Sequence, residues 1–362
     1  MPRAGADPTT ADDGVQYSLT PVSSGDTGPE RLGRSGRGPL RTPSRFSAIW
    51  VATALLFALS PLLASGSVSQ TALLSMLPFA AILAIAAVGQ TLVVQQGGLD
   101  LSVPGTISLA AALMVKIPHG DGGRVPLALL AIAGVAVATG LLIGAAVTRL
   151  GITPLVATLG VNALLLGTVL QVTGGSIANE APRSLTDFAQ GKTFGIPHTA
   201  LLALALIAIV ALVLRRSVWG RRFEAAGANP RAARAAGVPV TRHQISAYVA
   251  ASLCYAAAGV LLAGLLNAPS LFSGDAYLLP TIAAVVLGGT SLAGGRGSVA
   301  ATAVGAVFLT QLGQVVVAMG AENAVQLLIQ GAIVALGMGL RNVPWGALRT
   351  VIRSPASDRR RP

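Results

Sequence analysis

An all-α polytopic membrane protein with about ten transmembrane helices is the fold class this sequence predicts. Three observations predict it. Only 10% of the 362 residues are charged and 53% are hydrophobic, whereas a soluble domain is roughly a quarter charged. The mean hydropathy is +0.70. The 54 residues between Arg45 and Asp100 contain no Asp, Glu, Lys, Arg or His. Together these exclude an ordinary soluble enzyme, a disordered chain and a coiled coil. The 43 glycines agree, since Gly is more frequent in transmembrane helices than in soluble ones. A single cysteine, Cys254, excludes an intrachain disulfide and a cysteine-cluster metal site.

The elements follow in chain order. Residues 1–46 form a polar head rich in Gly, Pro, Ser and Thr, with Arg31, Arg34, Arg37, Arg41 and Arg45 ahead of the first apolar run. This reads as a disordered cytoplasmic tail, because the apolar run starts too late and is too long for a signal peptide. A helix rises ~1.5 Å per residue and must cross ~30 Å of hydrocarbon, so a span needs ~20 residues. The uncharged run therefore makes two spans, at about 47–64 and 70–95, joined by a turn at Ser65-Gly66-Ser67. Segment 101–117 has Pro104 and Gly105 near its start and suits a broken or re-entrant helix as well as a full span. Spans are then expected at Val125–Thr148, about 155–172, Thr199–Leu214 and within Gln244–Gly274. Ala276–Gly295, Gly297–Ala321 and Asn323–Leu340 close the series. The organisation is a head (1–46), a transmembrane domain (47–340) and a basic tail (341–362).

The net charge of +12 could point to nucleic acid, but the positions of the charges argue otherwise. With ten spans, 21 Lys and Arg fall on one side: in the head, at Arg149, in loop 215–243, at Arg296 and in the tail. Four fall on the other: Lys116, Arg124, Arg183 and Lys192. By the positive-inside rule both termini are cytoplasmic. If 101–117 failed to cross, the Arg-rich loop would lie outside, against that rule. Nucleic acid is not an expected partner; the lipid bilayer is.

No catalytic constellation emerges. Gly191-Lys192-Thr193 resembles part of a P-loop, but the Gly required six residues before the Lys is Thr186. His119, His198 and His243 are far apart, no acidic pair shares a helix face, and no Ser stands in a G-x-S-x-G setting. The expectation is a chain that is not an enzyme and holds no metal.

Three stretches carry more information. Gly97 to Val103 reads GGLDLSV and breaks a helix near 97–105. Asp100 could cap the next helix. Irregular backbone at membrane depth also survives along a water-filled path, which makes Gly97, Gly98, Asp100 and Ser102 candidate gate residues; the two readings are compatible. Gly288 to Gly297 reads GGTSLAGGRG, in which seven of ten residues are Gly, Ser or Thr. Backbones can approach closely there, at Gly288, Gly289, Gly294 and Gly295, while Arg296 snorkels to the surface. Both stretches follow Ile-Ala-Ala-Val and place Gly-Gly before Ser-Val, about 197 residues apart. That is a weak internal repeat, of a kind common in transporters. The third stretch, Trp219 to His243, is the longest inside loop. Asn229-Pro230 opens a short helix there, Arg231 to Ala236 continue it, and Gly237 stops it. It either docks into a partner's groove or lies on anionic lipid, and composition leaves both open.

Within the spans, Gln90, Asn162, Gln171, Asn267, Gln311, Gln314, Gln326 and Gln330 read mostly as interhelical hydrogen-bonding groups. Gly140 and Gly144 form a packing face. Uncharged spans with scattered amides suit a neutral polar solute better than an ion.

Four segments taken together, GQTLVVQQGGLDLSV, TPLVATLGVNALLLG (Thr153 to Gly167), WGRRFEAAGANPRAARAAGVPV and IAAVVLGGTSLAGGRGSV, resemble the permease subunit of simple-sugar ATP-binding-cassette importers, the ribose, xylose and galactose type. The likeness runs from about 70 to 340, in the family's order and spacing. It implies a second permease copy, a cytoplasmic ATPase that uses ATP and Mg, and an extracytoplasmic solute-binding protein, in a bacterial cytoplasmic membrane. This chain itself would bind no cofactor. It also implies that Gly220, Arg221, Gly227, Asn229, Pro230, Ala232, Ala233 and Gly237 couple to the ATPase. Asn162, in the second of the four segments, joins the candidate path residues. Departures are Pro104, where the family more often has Gly, and Gln95 and Gln96 at positions more often apolar or Thr. Related permeases move nucleosides or branched-chain amino acids. A stand-alone secondary transporter would need ion-coupling carboxylates, and only Asp100 and Asp275 lie close to spans.

Overall fold

The computed structural model describes residues 46–177, 179–320 and scattered positions between 324 and 335. The head, the tail and most of Asn323–Leu340, with Gln326 and Gln330, lie outside the described residues. Their regular structure is helical apart from a short hairpin, Lys192–Thr193 against Ile196–Pro197, which holds the Lys and Thr of the Gly-Lys-Thr sequence. The helices are α1 (Ser47–Leu63), α2 (Gln70–Gln95), α3 (Val103–Lys116), α4 (Val125–Thr148), α5 (Pro154–Thr173) and α6 (Arg183–Gln190). They continue as α7 (His198–Arg216), α8 (Val218–Ala228), α9 (Pro230–Ala235), α10 (Val240–Leu266), α11 (Leu278–Leu287) and α12 (Val299–Ala318). Six are long and apolar enough to cross a membrane: α2, α4 with the 3-10 turn before it, α5, α7, α10 and α12.

At the centre stand α2 and α10. Every residue of α2 from Ala80 to Gln95 is buried, because a helix apolar on all sides can be surrounded on all sides. Glycines set the closeness of the packing. A methyl group at Gly89 would come within 2.9 Å of the Ala251 carbonyl of α10, and one at Gly144 of α4 within 3.0 Å of the Ile245 backbone. Gly140 of α4 meets the Val249 backbone in the same way, as the G-x-x-x-G spacing predicts. By contrast α7 has only 11% of its apolar window buried.

One expectation is corrected. Ala276–Gly295 reads as a twenty-residue span, but only Leu278–Leu287 is α-helical there, preceded by a 3-10 turn at Asp275–Tyr277. Ten residues make ~15 Å of helix, about half the hydrocarbon thickness. α3 is also short, at 14 residues. The reason lies in packing. The stretch 97–102 turns back along α2, so that the Asp100 backbone meets the side chain of Gln90, and α3 starts part-way down the bundle. The stretch before α11 comes up against α3, where the Gly274 N–H donates to Ser108 Oγ at 3.0 Å.

The bundle has two distinct ends. At the start of α10, Val240 packs with Ala226 and Ala233, and His243 lies beside Trp219, ring centroids 5.7 Å apart. At its far end α6 docks: Thr186 Oγ1 donates to Asn267 Oδ1 at 3.3 Å, and Gln190 Nε2 to the Leu265 carbonyl at 3.2 Å. Arg149, Arg296 and the seven arginines between 215 and 243 follow the first end. Lys116, Arg124, Arg183 and Lys192 follow the second, where His119 hydrogen bonds Asn179 at 2.9 Å.

Candidate translocation and coupling site

The broken stretch after α2 is held from three sides. With its amide oriented to satisfy both neighbours, Gln90 Nε2 donates to the Asp100 carbonyl at 3.2 Å and to the Tyr255 hydroxyl at 2.8 Å. Gln90 Oε1 accepts the Asp100 N–H at 3.2 Å. From α5, Thr158 Oγ1 accepts the Leu101 N–H at 3.0 Å, and Asn162 Oδ1, one turn on, accepts the Gly105 N–H at 2.8 Å. The Asp100 carboxylate folds onto its own chain: Oδ1 accepts the Ser102 N–H at 2.8 Å and the Ser102 hydroxyl at 2.6 Å. Its Oδ2 is buried and has no partner among the described residues. A β-carbon at Gly98 would lie 2.5 Å from the Tyr248 hydroxyl. Asp100 therefore does not cap α3, whose N-cap is Ser102 without a side-chain capping bond; it closes a turn just ahead of the helix instead.

The glycine-rich stretch after α11 meets the end of α2 directly. The Gly295 N–H donates to the Gln95 carbonyl at 2.8 Å. α8 arrives at the same carbonyl, with Gly227 so close that a β-carbon there would collide with it. Next to it, Gln96 Nε2 donates to the Phe223 carbonyl of α8 at 2.9 Å. A β-carbon at Gly294 would lie 2.7 Å from the Gly227 carbonyl. Two of the stretches singled out by sequence thus meet, through Gly227 and Gly295, at the carbonyl of Gln95, two residues before the third begins at Gly97. Gly288 packs against the Thr302 backbone of α12, and Gly289 and Gly97 both take positive φ.

In α8 and α9 the eight coupling candidates divide. Arg221, Asn229, Ala232 and Gly237 are exposed, and Pro230 is half-buried. Gly220 is buried in the elbow between α7 and α8, and Gly227 in the junction. Ala233 is 5% exposed and packs inward on Ala226 and Val240. That corrects the expectation that residue 233 faces a partner's groove: α9 turns one alanine to its own chain and leaves Ala232, Ala235 and Ala236 outward.

Residues 72–337 match the family described as branched-chain amino acid transport system / permease component. The chain belongs to this permease family. It is a multi-pass membrane protein and a transport subunit. Among its relatives is the ribose import permease protein RbsC of Bacillus subtilis, 31% identical over 268 residues, which cover 74% of this chain and 83% of the relative. Another is the autoinducer 2 import system permease protein LsrC of an Enterobacter species, 34% identical over 277 residues, or 76% and 79% of the two chains. A third is LsrD of Photorhabdus luminescens, a permease of the same kind of system, 32% identical over 268 residues, or 72% and 79%. No solved structure matches the chain.

Gln95 and Gln96 went unassigned as site residues although they organise the permease's junction. Their signal was a polar pair closing an apolar helix just before Gly-Gly. Tyr248 and Tyr255, spaced two turns apart on α10, are also missed partners of the break. Outside these, Gln311 Nε2 donates to Ser60 Oγ at 3.1 Å and Gln314 Nε2 to the Ser67 carbonyl at 3.3 Å, ties of α12 to α1 and its turn. Gln171 is exposed.

Proposed function

We propose that this permease forms the membrane path of an ATP-binding-cassette importer for a simple sugar or a related small polar solute. Its partners are a cytoplasmic ATPase, a second permease copy and an extracytoplasmic binding protein. The observation that carries the reading is the junction. A surface loop with a short, rigid outward helix is joined through Gly227 and Gly295 to the carbonyl of Gln95, where α2 gives way to the broken stretch. Movement imposed on α8 and α9 by an ATPase reaches the break without an intervening side chain. The ribose and autoinducer 2 permeases among the relatives support a sugar-like solute. The family's description keeps branched-chain amino acids as the second reading. The test is reconstitution in proteoliposomes of the permease with the ATPase that co-purifies from native membranes, and with the binding protein. ATP-dependent uptake of labelled ribose over leucine is expected. Uptake by the permease alone on an ion gradient would replace this reading with a secondary transporter.

A further inference from the structure

Beside the junction, α7, α8 and the first turn of α12 enclose a cavity of about 290 Å³. Gln95, Arg215, Arg221, Glu224 and Ala300 are among the residues that line it. Ser298 Oγ accepts the Ala301 N–H at 3.3 Å, so the N–H groups of Val299 and Ala300 are left without an intrahelical partner. They sit at the positive end of a 20-residue helix. A second observation is independent of that helix end. Gln95 is only 6% exposed, it lines this cavity with its Nε2 beside Gly297, and it forms no side-chain hydrogen bond among the described residues. Nor do Arg215 and Arg221 form an ion pair among the described residues, although Glu224 shares their wall.

We propose that this cavity binds the phosphate of an anionic phospholipid whose acyl chain lies along the exposed face of α7. Two guanidinium groups, an amide N–H and two backbone N–H groups supply donors to phosphate oxygens. Two arginines against one glutamate leave one net positive charge, which matches a phosphodiester rather than free phosphate of higher charge. α7 favours the lipid source: Leu201, Leu204, Ile209, Leu212 and Val213 are exposed along it, and Arg215 marks where this apolar face meets the headgroup region. Basic pockets between transmembrane helices bind headgroups in this way. Arg221 is thereby assigned to lipid, and α9 is left as the face for the ATPase.

Delipidated permease in detergent is titrated by native mass spectrometry with phosphatidylglycerol, with phosphatidylcholine and with inorganic phosphate. Phosphatidylglycerol should bind at least tenfold more tightly than phosphatidylcholine and resist displacement by inorganic phosphate. The double variant Arg215→Gln/Arg221→Gln should lose that preference. Ala300→Asp should lose it too while keeping its thermal stability, because a carboxylate favours a helix N-terminus. The double variant Arg231→Gln/Arg234→Gln removes the same charge from α9 and should retain the preference. Unchanged binding in both cavity variants, or an equal loss in the α9 control, overturns the site. Inorganic phosphate that displaces the lipid, and binds alone with the same dependence on Arg215 and Arg221, overturns the lipid assignment.

Discussion

Position 227 has room for a hydrogen and nothing more, since a β-carbon would run into the Gln95 carbonyl and come to 3.2 Å from the Gly295 nitrogen. Gly227→Ala therefore has to push α8 away from α2, an overpacking that costs about 1–3 kcal/mol. The variant should reach the membrane and its complex should still hydrolyse ATP, while uptake falls at least tenfold. Both rates measured in the same proteoliposomes check this, and a wild-type ratio of uptake to hydrolysis would remove the junction as the transmission route. The two neighbouring alanines of α9 make a sharper pair. Ala233→Asp buries an unpaired carboxylate among Ala226 and Val240, at several kcal/mol. It should lower the yield of folded protein. Ala232→Asp places the same charge on the exposed side, so yield should hold while ATPase co-purification drops. Normal yield of Ala233→Asp on size exclusion would mean that α9 is packed the other way round. This inward and outward division was not legible in the sequence: alanines at 232, 233, 235 and 236 look alike, and only the position of Val240 distinguishes them.

α9 has six residues, far too few for an isolated helix to persist in water. Its caps supply what length does not. Asn229 Oδ1 accepts the N–H groups of Arg231 and Ala232, each at 3.1 Å. At the other end Gly237 takes φ +77°, its N–H donates to the Arg234 carbonyl at 3.0 Å, and the Val238 N–H donates to the Ala233 carbonyl at 2.9 Å. That pair of bonds is the Schellman closure. Asn229→Ala should cost about 1 kcal/mol and Gly237→Ala a similar amount or more. Neither alters the outward face. Amide hydrogen exchange over 230–236 should quicken about fivefold per kcal/mol lost; unchanged exchange would mean that packing alone holds the helix. These caps were legible because they are local, an Asn-Pro and a Gly eight residues apart. The lengths of α3 and α11 were not. An uncharged stretch does not say where a helix stops, and here the stops are set by distant partners, the Gln90 amide on the Asp100 backbone and Ser108 on Gly274. The junction is hidden for the same reason, since Gln95 and Gly227 are brought together by the packing of the whole bundle.

Among the described residues, the basic side chains separate onto the two ends of one long helix. α10 has 27 residues, or ~40 Å, more than the ~30 Å of hydrocarbon. α9 packs at its start and α6 at its finish, so Ala232 and Ser184, both exposed, must lie on opposite sides of a membrane that α10 crosses. We propose from the charges that the α9 side is cytoplasmic. Arg149, Arg296 and the seven loop arginines share the α9 end, against Lys116, Arg124, Arg183 and Lys192 at the other, and a basic excess stays inside. In a Cys254→Ala background, Ser184→Cys should react with an impermeant maleimide on whole cells, and Ala232→Cys only after permeabilisation. Cys254 is itself 6% exposed, so its removal should disturb little beyond the α2–α10 contact. The reverse pattern would put the α8–α9 loop on the side without ATP, where no ATPase could drive it, and would sink the coupling reading with the topology. Labelling of both positions from outside would mean that α10 does not span, and then neither end of the bundle could serve as a cytoplasmic face.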